Sequence, residues 1–267
     1  MFSLLIAHYN NFDYFKDCYS SILNQTVKDF EVIIVDDCST DNSFEQIQDW
    51  VKNDSRFHLF RNDQNKGVGF TKRRCAELAK GDFCGFIDPD DALSEDAIEQ
   101  SVIKYKHPDV VATHSQFYLC DSGLNVLKVY PNTRKVKNSN THFFNINFEV
   151  NHFFTFRRNM YEKSGGINAE LTSAVDQDLY LKMYDLGKLA YISKPLYLYR
   201  LHEKGVSQEK SKKGKLNNNW NLVLKNTLER RGMNQVFGDE VKAIENLPKF
   251  IFKKENTFLK RLLRKIK

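Results

Sequence analysis

The stretch Phe83-Cys84-Gly85-Phe86-Ile87-Asp88-Pro89-Asp90-Asp91 decides how this chain is read. A short, mostly apolar run that stops at a proline-containing turn reads as a buried strand. Three carboxylates then crowd the point where the strand gives way to a loop. Like charges this close repel. A divalent cation relieves the repulsion, and hard cations such as Mg²⁺ or Mn²⁺ take carboxylate and phosphate oxygens together. The run points to a metal that holds a phosphorylated ligand.

Outward from this strand the chain alternates between two periods. Residues 3–9 and Phe30-Glu31-Val32-Ile33-Ile34-Val35 are apolar runs. Between them Phe12, Phe15, Cys18, Tyr19, Ile22 and Leu23 recur at helical spacing, which makes a β-α-β unit. A helix capped by Asp41 or Ser43 carries Phe44, Ile47, Trp50 and Val51. Phe57-His58-Leu59-Phe60 reads as a third strand, and Thr71 to Ala79 as a third helix ended by Gly81. Such alternation predicts an α/β fold, a mostly parallel twisted sheet flanked by helices. Ligands of such sheets bind beyond the carboxyl ends of the strands. The polar clusters His8-Tyr9-Asn10, Asp36-Asp37, Arg61-Asn62 and Asp88 to Asp91 all lie there.

Beyond Asp91, Ser94 is placed to cap a helix with Glu95 and Asp96 in its first turn. Val110 to Thr113 reads as a strand, residues 121–150 as irregular or hairpin-like, Gly165-Gly166 as a turn and Gln177 to Leu186 as a helix. Ala190 to Ile192 and Leu196 to Tyr199 read as short strands around Pro195.

A hydrophobic fraction of 41% with 13% aromatics is enough for a real core in 267 residues. No apolar run approaches the roughly 20 residues of a membrane-spanning helix. Met1 to Ile6 reads as a first core strand and not a signal peptide. Five cysteines without metal-type spacing read as reduced, mostly buried thiols of a cytoplasmic protein. The net charge of +6 is uneven. Residues 204–267 hold 17 Lys and Arg against 6 Asp and Glu, which leaves 23 against 28 for the first 203. The main domain is therefore no nucleic-acid binder. The basic, aromatic-bearing tail is expected either to pack on the domain or to rest peripherally on an anionic membrane surface.

Several clusters carry chemistry. A carboxylate at Asp36-Asp37 can accept a hydrogen bond from the imide N–H of uracil. In Asn65-Lys66-Gly67-Val68-Gly69, glycines before a helix start let backbone N–H groups approach phosphate, although the spacing is not that of a Walker loop. Arg73 and Arg74 in that helix read as solvated. Asp176, opening a helix as Asp176-Gln177-Asp178, is placed as a general base. Tyr199-Arg200-Leu201-His202 sets a cation and an imidazole just beyond a strand, and His202 suits a metal or phosphate. Asn151, His152, Phe153 and Phe154 offer rings for stacking on sugars.

Taken in order, Ala7-His8-Tyr9-Asn10, Val35-Asp36-Asp37-Cys38-Ser39-Thr40-Asp41, Asn65-Lys66-Gly67-Val68-Gly69, Asp88-Pro89-Asp90-Asp91, Asp176-Gln177-Asp178-Leu179 and Tyr199-Arg200-Leu201-His202 resemble the family 2 glycosyltransferases of the GT-A fold. The resemblance covers roughly residues 3–207. It implies an inverting transferase that moves a sugar from a nucleotide-sugar, most often a UDP-sugar, to a glycan or lipid-linked glycan in cell-surface polysaccharide synthesis. Asp37 would meet uracil, with Ala7 and Tyr9 lining the base. Asp88 or Asp90 would lie near ribose. Asp90, or alternatively Asp91, would bind Mn²⁺ or Mg²⁺, with His202 near the metal or diphosphate. Lys66 or Arg200 would offset charge on the departing UDP, Lys66-Gly67 lying in the phosphate loop. Asp176 matches the catalytic Asp, but Val175 stands where the family usually has Glu, and Cys38 where it usually has Gly. The implied organisation is a transferase domain over 1–207, with a nucleotide-sugar half (1–110) and an acceptor-side half (111–207), followed by a basic helical extension over 208–267.

Two other classes have distinguishing marks. An Asp-dependent phosphohydrolase would carry its Asp-x-Asp after the first strand, which here ends in His8-Tyr9-Asn10. A non-catalytic nucleotide-binding scaffold would explain Val175, but not the intact Asp90, Asp91, Asp176 and His202.

Overall fold

In the computed structural model, which describes residues 1–203 and 213–258, strands and helices alternate from the start. The order is β1 (Phe2–His8), α1 (Phe12–Leu23), β2 (Phe30–Asp36), α2 (Ser43–Val51), β3 (Phe57–Arg61), α3 (Val68–Leu78), β4 (Phe83–Phe86), β5 (Ala92–Leu93) and α4 (Ala97–Lys104). Then come β6 (Val110–Cys120), β7 (Val126–Val129), β8 (Thr155–Arg157), α5 (Arg158–Lys163), α6 (Val175–Leu186) and β9 (Lys188–Arg200). The chain continues with α7 (Lys213–Arg230), the small hairpin β10 (Gln235–Val236) and β11 (Asp239–Glu240), and α8 (Leu247–Glu255).

The main sheet has the order β3-β2-β1-β4-β8-β6-β9-β5, with β7 attached to β6. β3, β2, β1 and β4 run parallel, as the β-α-β pattern predicts. Beyond β4 the sheet is mixed, because β8 lies antiparallel between β4 and β6 while β9 runs parallel to β6. The predicted short strands at 190–192 and 196–199 are parts of one 13-residue strand, β9. Pro195, which has no N–H to donate, is accommodated by register shifts opposite Ser115, Gln116 and Phe117. In the segment read as irregular or hairpin-like, residues 126–129 form the edge strand β7, a hairpin with β6.

Side chains alternate across the sheet with the period of two that a strand imposes. Phe2, Leu4 and Ile6 of β1, with Phe30, Val32 and Ile34 of β2, join the core under α1, α2 and α4. Leu5, Ile33 and Val35 join the other core, with residues of α3, α6, α7 and α8. The C-terminal segment contributes Trp220, Val223, Leu224, Leu228, Leu247 and Ile251 to this second core. Arg230 and Arg231 pair with Asp185 of α6, and Arg231 also donates to the Thr141 and Phe143 carbonyls. Of the two expectations for the basic segment, packing on the domain holds over 220–251. Residues 259–267, the most basic part of it, lie outside the described residues.

Helix starts differ in detail from the sequence reading. α3 begins at Val68, after Gly67 at φ 85°. α4 begins at Ala97, so Glu95 precedes it, and Ser94 bonds Asp96 rather than capping the helix. Four of the five cysteines are buried, and burial raises the Cys75 and Cys84 thiols to about 12. Among the described residues, no helix is long and apolar enough to cross a membrane.

Candidate active site

The carboxyl ends of β1, β2, β4 and β9 meet on one rim of the sheet. At the end of β2, Asp36 is fully buried and accepts from Ser39 N–H at 2.9 Å, from Ser39 Oγ, and from His8 Nδ1 at 3.2 Å. Burial pushes its carboxyl up, but these bonds outweigh it and hold it below the usual carboxylate range. Asn10 and Thr40 exchange hydrogen bonds at 2.8 and 3.0 Å, which ties the loop after β1 to the loop after β2. Tyr9 stands 44% exposed on this rim, and Ala7 is half-buried below it.

Asp37 does something the sequence reading did not contain. Its Oδ1 accepts from Asn62 Nδ2 at 2.6 Å and Lys66 N–H at 2.9 Å, and its Oδ2 accepts from Gly67 N–H at 2.8 Å. The buried carboxylate therefore shapes the Lys66-Gly67 loop, and among the described residues one acceptor site is left on Oδ2. The Lys66 side chain reaches Asp63 at 2.9 Å and lies over the Phe70 ring.

The four residues 88–91 divide their tasks. Asp91 is 2% exposed and turned inward. It accepts from Tyr197 Oη at 2.7 Å and from Arg200 N–H at 2.8 Å. Burial first, then the neighbouring Asp90 and Asp88, pushes its carboxyl well above the usual range. Tyr197 Oη also accepts from Asp88 N–H at 3.1 Å. Asp90 points the other way, and its Oδ2 lies 2.8 Å from His202 Nε2. The strand pairing explains this meeting. β5 follows the acidic run directly and pairs antiparallel with β9, Ala92 opposite Leu198, which brings the start of β5 beside the residues that end β9.

Arg200 is corrected from its expected role. Only 3% exposed, it donates through Nε to the Asp90 carbonyl, through Nη1 to the Ser122 carbonyl and through Nη2 to Asp17, at 2.6, 2.6 and 2.8 Å, with Tyr14 under its plane. Its cation is spent on bracing the Asp90 loop against α1 and is not presented to a leaving group.

Asp176 lies in the first turn of α6, 35% exposed, with Oδ1 2.9 Å from Lys72 Nζ. The same ammonium lies 2.9 Å from Asp88 Oδ1. Burial disfavours the charged lysine, but Asp176 and Asp88 outweigh it and raise its pKa. Asp88 is held below the usual carboxylate range, since burial there is overcome by Lys72 and His152. Sequence reasoning missed this function of Lys72. The available signal was its helical register, one position before two arginines that have other partners. Arg73 bonds the Gly165 and Ile167 carbonyls, and Arg74 bonds Arg61 O and Asn62, so neither is simply solvated.

Phe153 and Phe154 are 0% and 3% exposed and belong to the core, so they cannot stack on a sugar. Gly85 makes room for Phe153, since a Cβ there would come within 2.7 Å of its ring. His152 remains half-buried, stacked on Tyr197 and Tyr199, and burial lowers its pKa despite Asp176 and Asp88 nearby. Val175 is buried at the start of α6 and adds no carboxylate.

Donor chemistry tests whether a cation fits. Asp90 Oδ2 supplies the hard oxygen that Mn²⁺ or Mg²⁺ takes, and His202 Nε2 beside it is an imidazole nitrogen that suits Mn²⁺ better than Mg²⁺. Among the described residues no three ligating side chains cluster. A cation here would complete its shell from water and from phosphate oxygens, as Mg²⁺ does in nucleotide sites.

The model of the family described as "Glycosyl transferase family 2" matches residues 3–165. The chain is 30% identical over 257 residues to the hyaluronan synthase of Pasteurella multocida, covering 94% of this chain and 25% of that protein. It thus spans about a quarter of that relative's length. Similar solved structures include residues 1–349 of S. aureus TarS in complex with UDP-GlcNAc, at TM-score 0.71 and 21% identity, covering 85% of this chain and 66% of that one. A second is the mannosyltransferase PcManGT from Pyrobaculum calidifontis in complex with GDP-Man and Mn²⁺, at TM-score 0.60 and 14% identity, covering 95% and 67%. These likenesses carry the expected GT-A type of α/β fold. The family-model match extends over more than half of the chain and takes in the strand ends that carry Asp37 and Asp90, and by it the chain belongs to glycosyl transferase family 2.

Proposed function

We propose that this chain is a metal-dependent, inverting glycosyltransferase. It moves a sugar from a nucleotide-sugar, a UDP-sugar by its motifs, to a hydroxyl of a glycan or lipid-linked glycan during cell-surface polysaccharide synthesis. One observation carries the reading. Asp90 with His202, and Asp176 with Lys72 and Asp88, stand on the same rim of the sheet, so the proposed diphosphate anchor and proton acceptor lie side by side.

In this reading Asp37 offers its remaining acceptor site to the uracil imide, with Ala7 and Tyr9 lining the base. Asp88 lies beside the ribose. The Lys66 side chain faces the diphosphate, since the Lys66 and Gly67 amides are already donated to Asp37, and Asp90 with His202 holds the cation, which when bound offsets charge on the diphosphate. Asp91 and Arg200 brace that loop. Asp176 takes the proton of the acceptor hydroxyl as its oxygen attacks C1. The C1–O bond to the diphosphate breaks on the opposite face, and its electron pair leaves with UDP. One base and no protein nucleophile give inversion.

The division into a nucleotide-sugar half (1–110), an acceptor-side half (111–207) and an extension (208–267) is part of the same proposal. So is peripheral contact with the inner face of a membrane. Phe252 and Phe258 are 47% and 84% exposed, near the exposed Lys249 and Lys253, and residues 259–267 add five Lys and Arg and no acid. Binding to anionic vesicles that is unchanged by removal of 248–267 would refute that contact.

A thermal-shift panel of nucleotide-sugars with and without Mn²⁺, followed by assay of UDP release, tests the function. Stabilisation by UDP-sugars that requires the metal is expected. No metal-dependent shift and no UDP release would overturn the proposal.

A further inference from the structure

We infer that Lys72 is the positioning residue of the transfer: one buried ammonium holds the proposed base Asp176 and the donor-side carboxylate Asp88 in fixed register. The inference rests on the glycosyl-transfer reading above and deepens it.

The Lys72 side chain is 5% exposed, with Nζ 2.9 Å from each carboxylate and over the Phe86 ring. A buried charge with fixed partners on both sides has little freedom, so it transmits the position of one partner to the other. The helix that carries it is anchored at both of the relevant loops. At its start, Asp37 holds the Lys66 and Gly67 amides. One turn on, Gly69 N–H donates to the Leu171 carbonyl at 3.1 Å, and Arg73 donates to the Gly165 and Ile167 carbonyls. A Cβ at position 69 would sit 2.4 Å from the Leu171 oxygen, so this approach requires glycine. The phosphate-side loop, Lys72 and the segment leading to α6 therefore form one rigid unit.

Two carboxylates around one ammonium also suit the proton's path. When Asp176 takes the acceptor proton it becomes neutral, and a lysine paired with Asp176 alone would then be a buried, unmatched charge. Asp88 Oδ1, 2.9 Å from the same ammonium, gives Lys72 a second partner that does not depend on Asp176. The aim of the base is thereby held without depending on its own charge.

The test compares full-length wild type with Lys72→Met, Lys72→Arg, Asp176→Asn and the double variant Lys72→Met/Asp176→Asn. The readouts are UDP release from the donor found active, UDP affinity with Mn²⁺ by calorimetry, and circular dichroism. The expected result is a kcat for Lys72→Met lower by about 100-fold with UDP affinity within about threefold. Lys72→Arg should recover part of that loss. In the Asp176→Asn background, Lys72→Met should add less than about twofold, because it acts through the group already removed. A near-wild-type kcat, a loss confined to KM, or a full additive loss without Asp176 would overturn the inference. If Lys72→Met does not fold, Lys72→Arg alone decides it: displacing the ammonium must lower kcat at unchanged UDP affinity, and an unchanged kcat refutes it. A wild type that releases no UDP from any donor would instead overturn the glycosyl-transfer reading, and this inference with it.

Discussion

Asp90 and His202 are 112 positions apart in the chain, yet Asp90 Oδ2 lies 2.8 Å from His202 Nε2. The short β5–β9 pairing and the Arg200 brace together create that contact. It joins one acidic oxygen and one imidazole nitrogen at the end of the sheet where a diphosphate is expected.

If this pair holds the cation, Asp90→Asn and His202→Ala should each weaken Mn²⁺-dependent UDP binding by at least about tenfold. Calorimetry with UDP at several Mn²⁺ concentrations reads this directly. Binding of UDP that is equally strong in both variants would remove the pair from the site.

Asp176→Asn keeps the shape of the side chain and removes the proton acceptor. It should lower kcat by about 10²- to 10⁴-fold while leaving UDP affinity within about threefold. A variant with normal turnover would assign the proton to another group.

Arg200→Lys separates two roles. If Arg200 offset charge on UDP, lysine would serve nearly as well. As a fork binding the Asp90 and Ser122 carbonyls and Asp17, it cannot be replaced by a single ammonium. The variant should therefore unfold at lower temperature and lose metal-dependent UDP affinity together, measured by thermal unfolding and calorimetry.

Gly69→Ala should destabilise the fold by about 1–3 kcal/mol, since its Cβ meets backbone oxygens of Leu171 and Asn168 that cannot rotate away. For a domain of this size that lowers the unfolding midpoint by roughly 2–10 °C. An unchanged midpoint would mean the 168–171 loop yields easily.

His114 on β6 is fully buried, with neither ring nitrogen hydrogen-bonded among the described residues, and burial lowers its pKa to about 3. Its folded value lies below the unfolded one, so the unfolded chain binds the proton first. Stability is full above about pH 6.5 and falls by roughly 1.4 kcal/mol per pH unit from there toward pH 3. Denaturant titrations at pH 7.5 and 5 should show a smaller loss for His114→Leu than for wild type. Equal losses would show that His114 does not titrate between the states.

Local chemistry in the sequence determined the parallel half of the sheet. Strand periodicity in Phe30 to Val35, helical spacing from Phe12 to Leu23 and a polar cluster after each strand are readable because each depends on neighbours a few residues away. The same reasoning located Asp37, Asp90, Asp176 and His202 at the rim, and the order of their motifs matched the family. Partner choice was not legible. Lys72, Arg73 and Arg74 look alike in sequence, yet one links two carboxylates and the others bond backbone carbonyls. Asp90 and Asp91 are neighbours, yet one faces His202 and the other is buried against Tyr197. Arg200 serves as a brace, and Phe153 and Phe154 fill the core instead of lining a sugar site. The tertiary structure alone decided these assignments, because whether a charge is buried, and which partner across a hundred residues meets it, follows from strand register and helix packing. A one-residue shift in either would re-aim every side chain while leaving the local pattern unchanged.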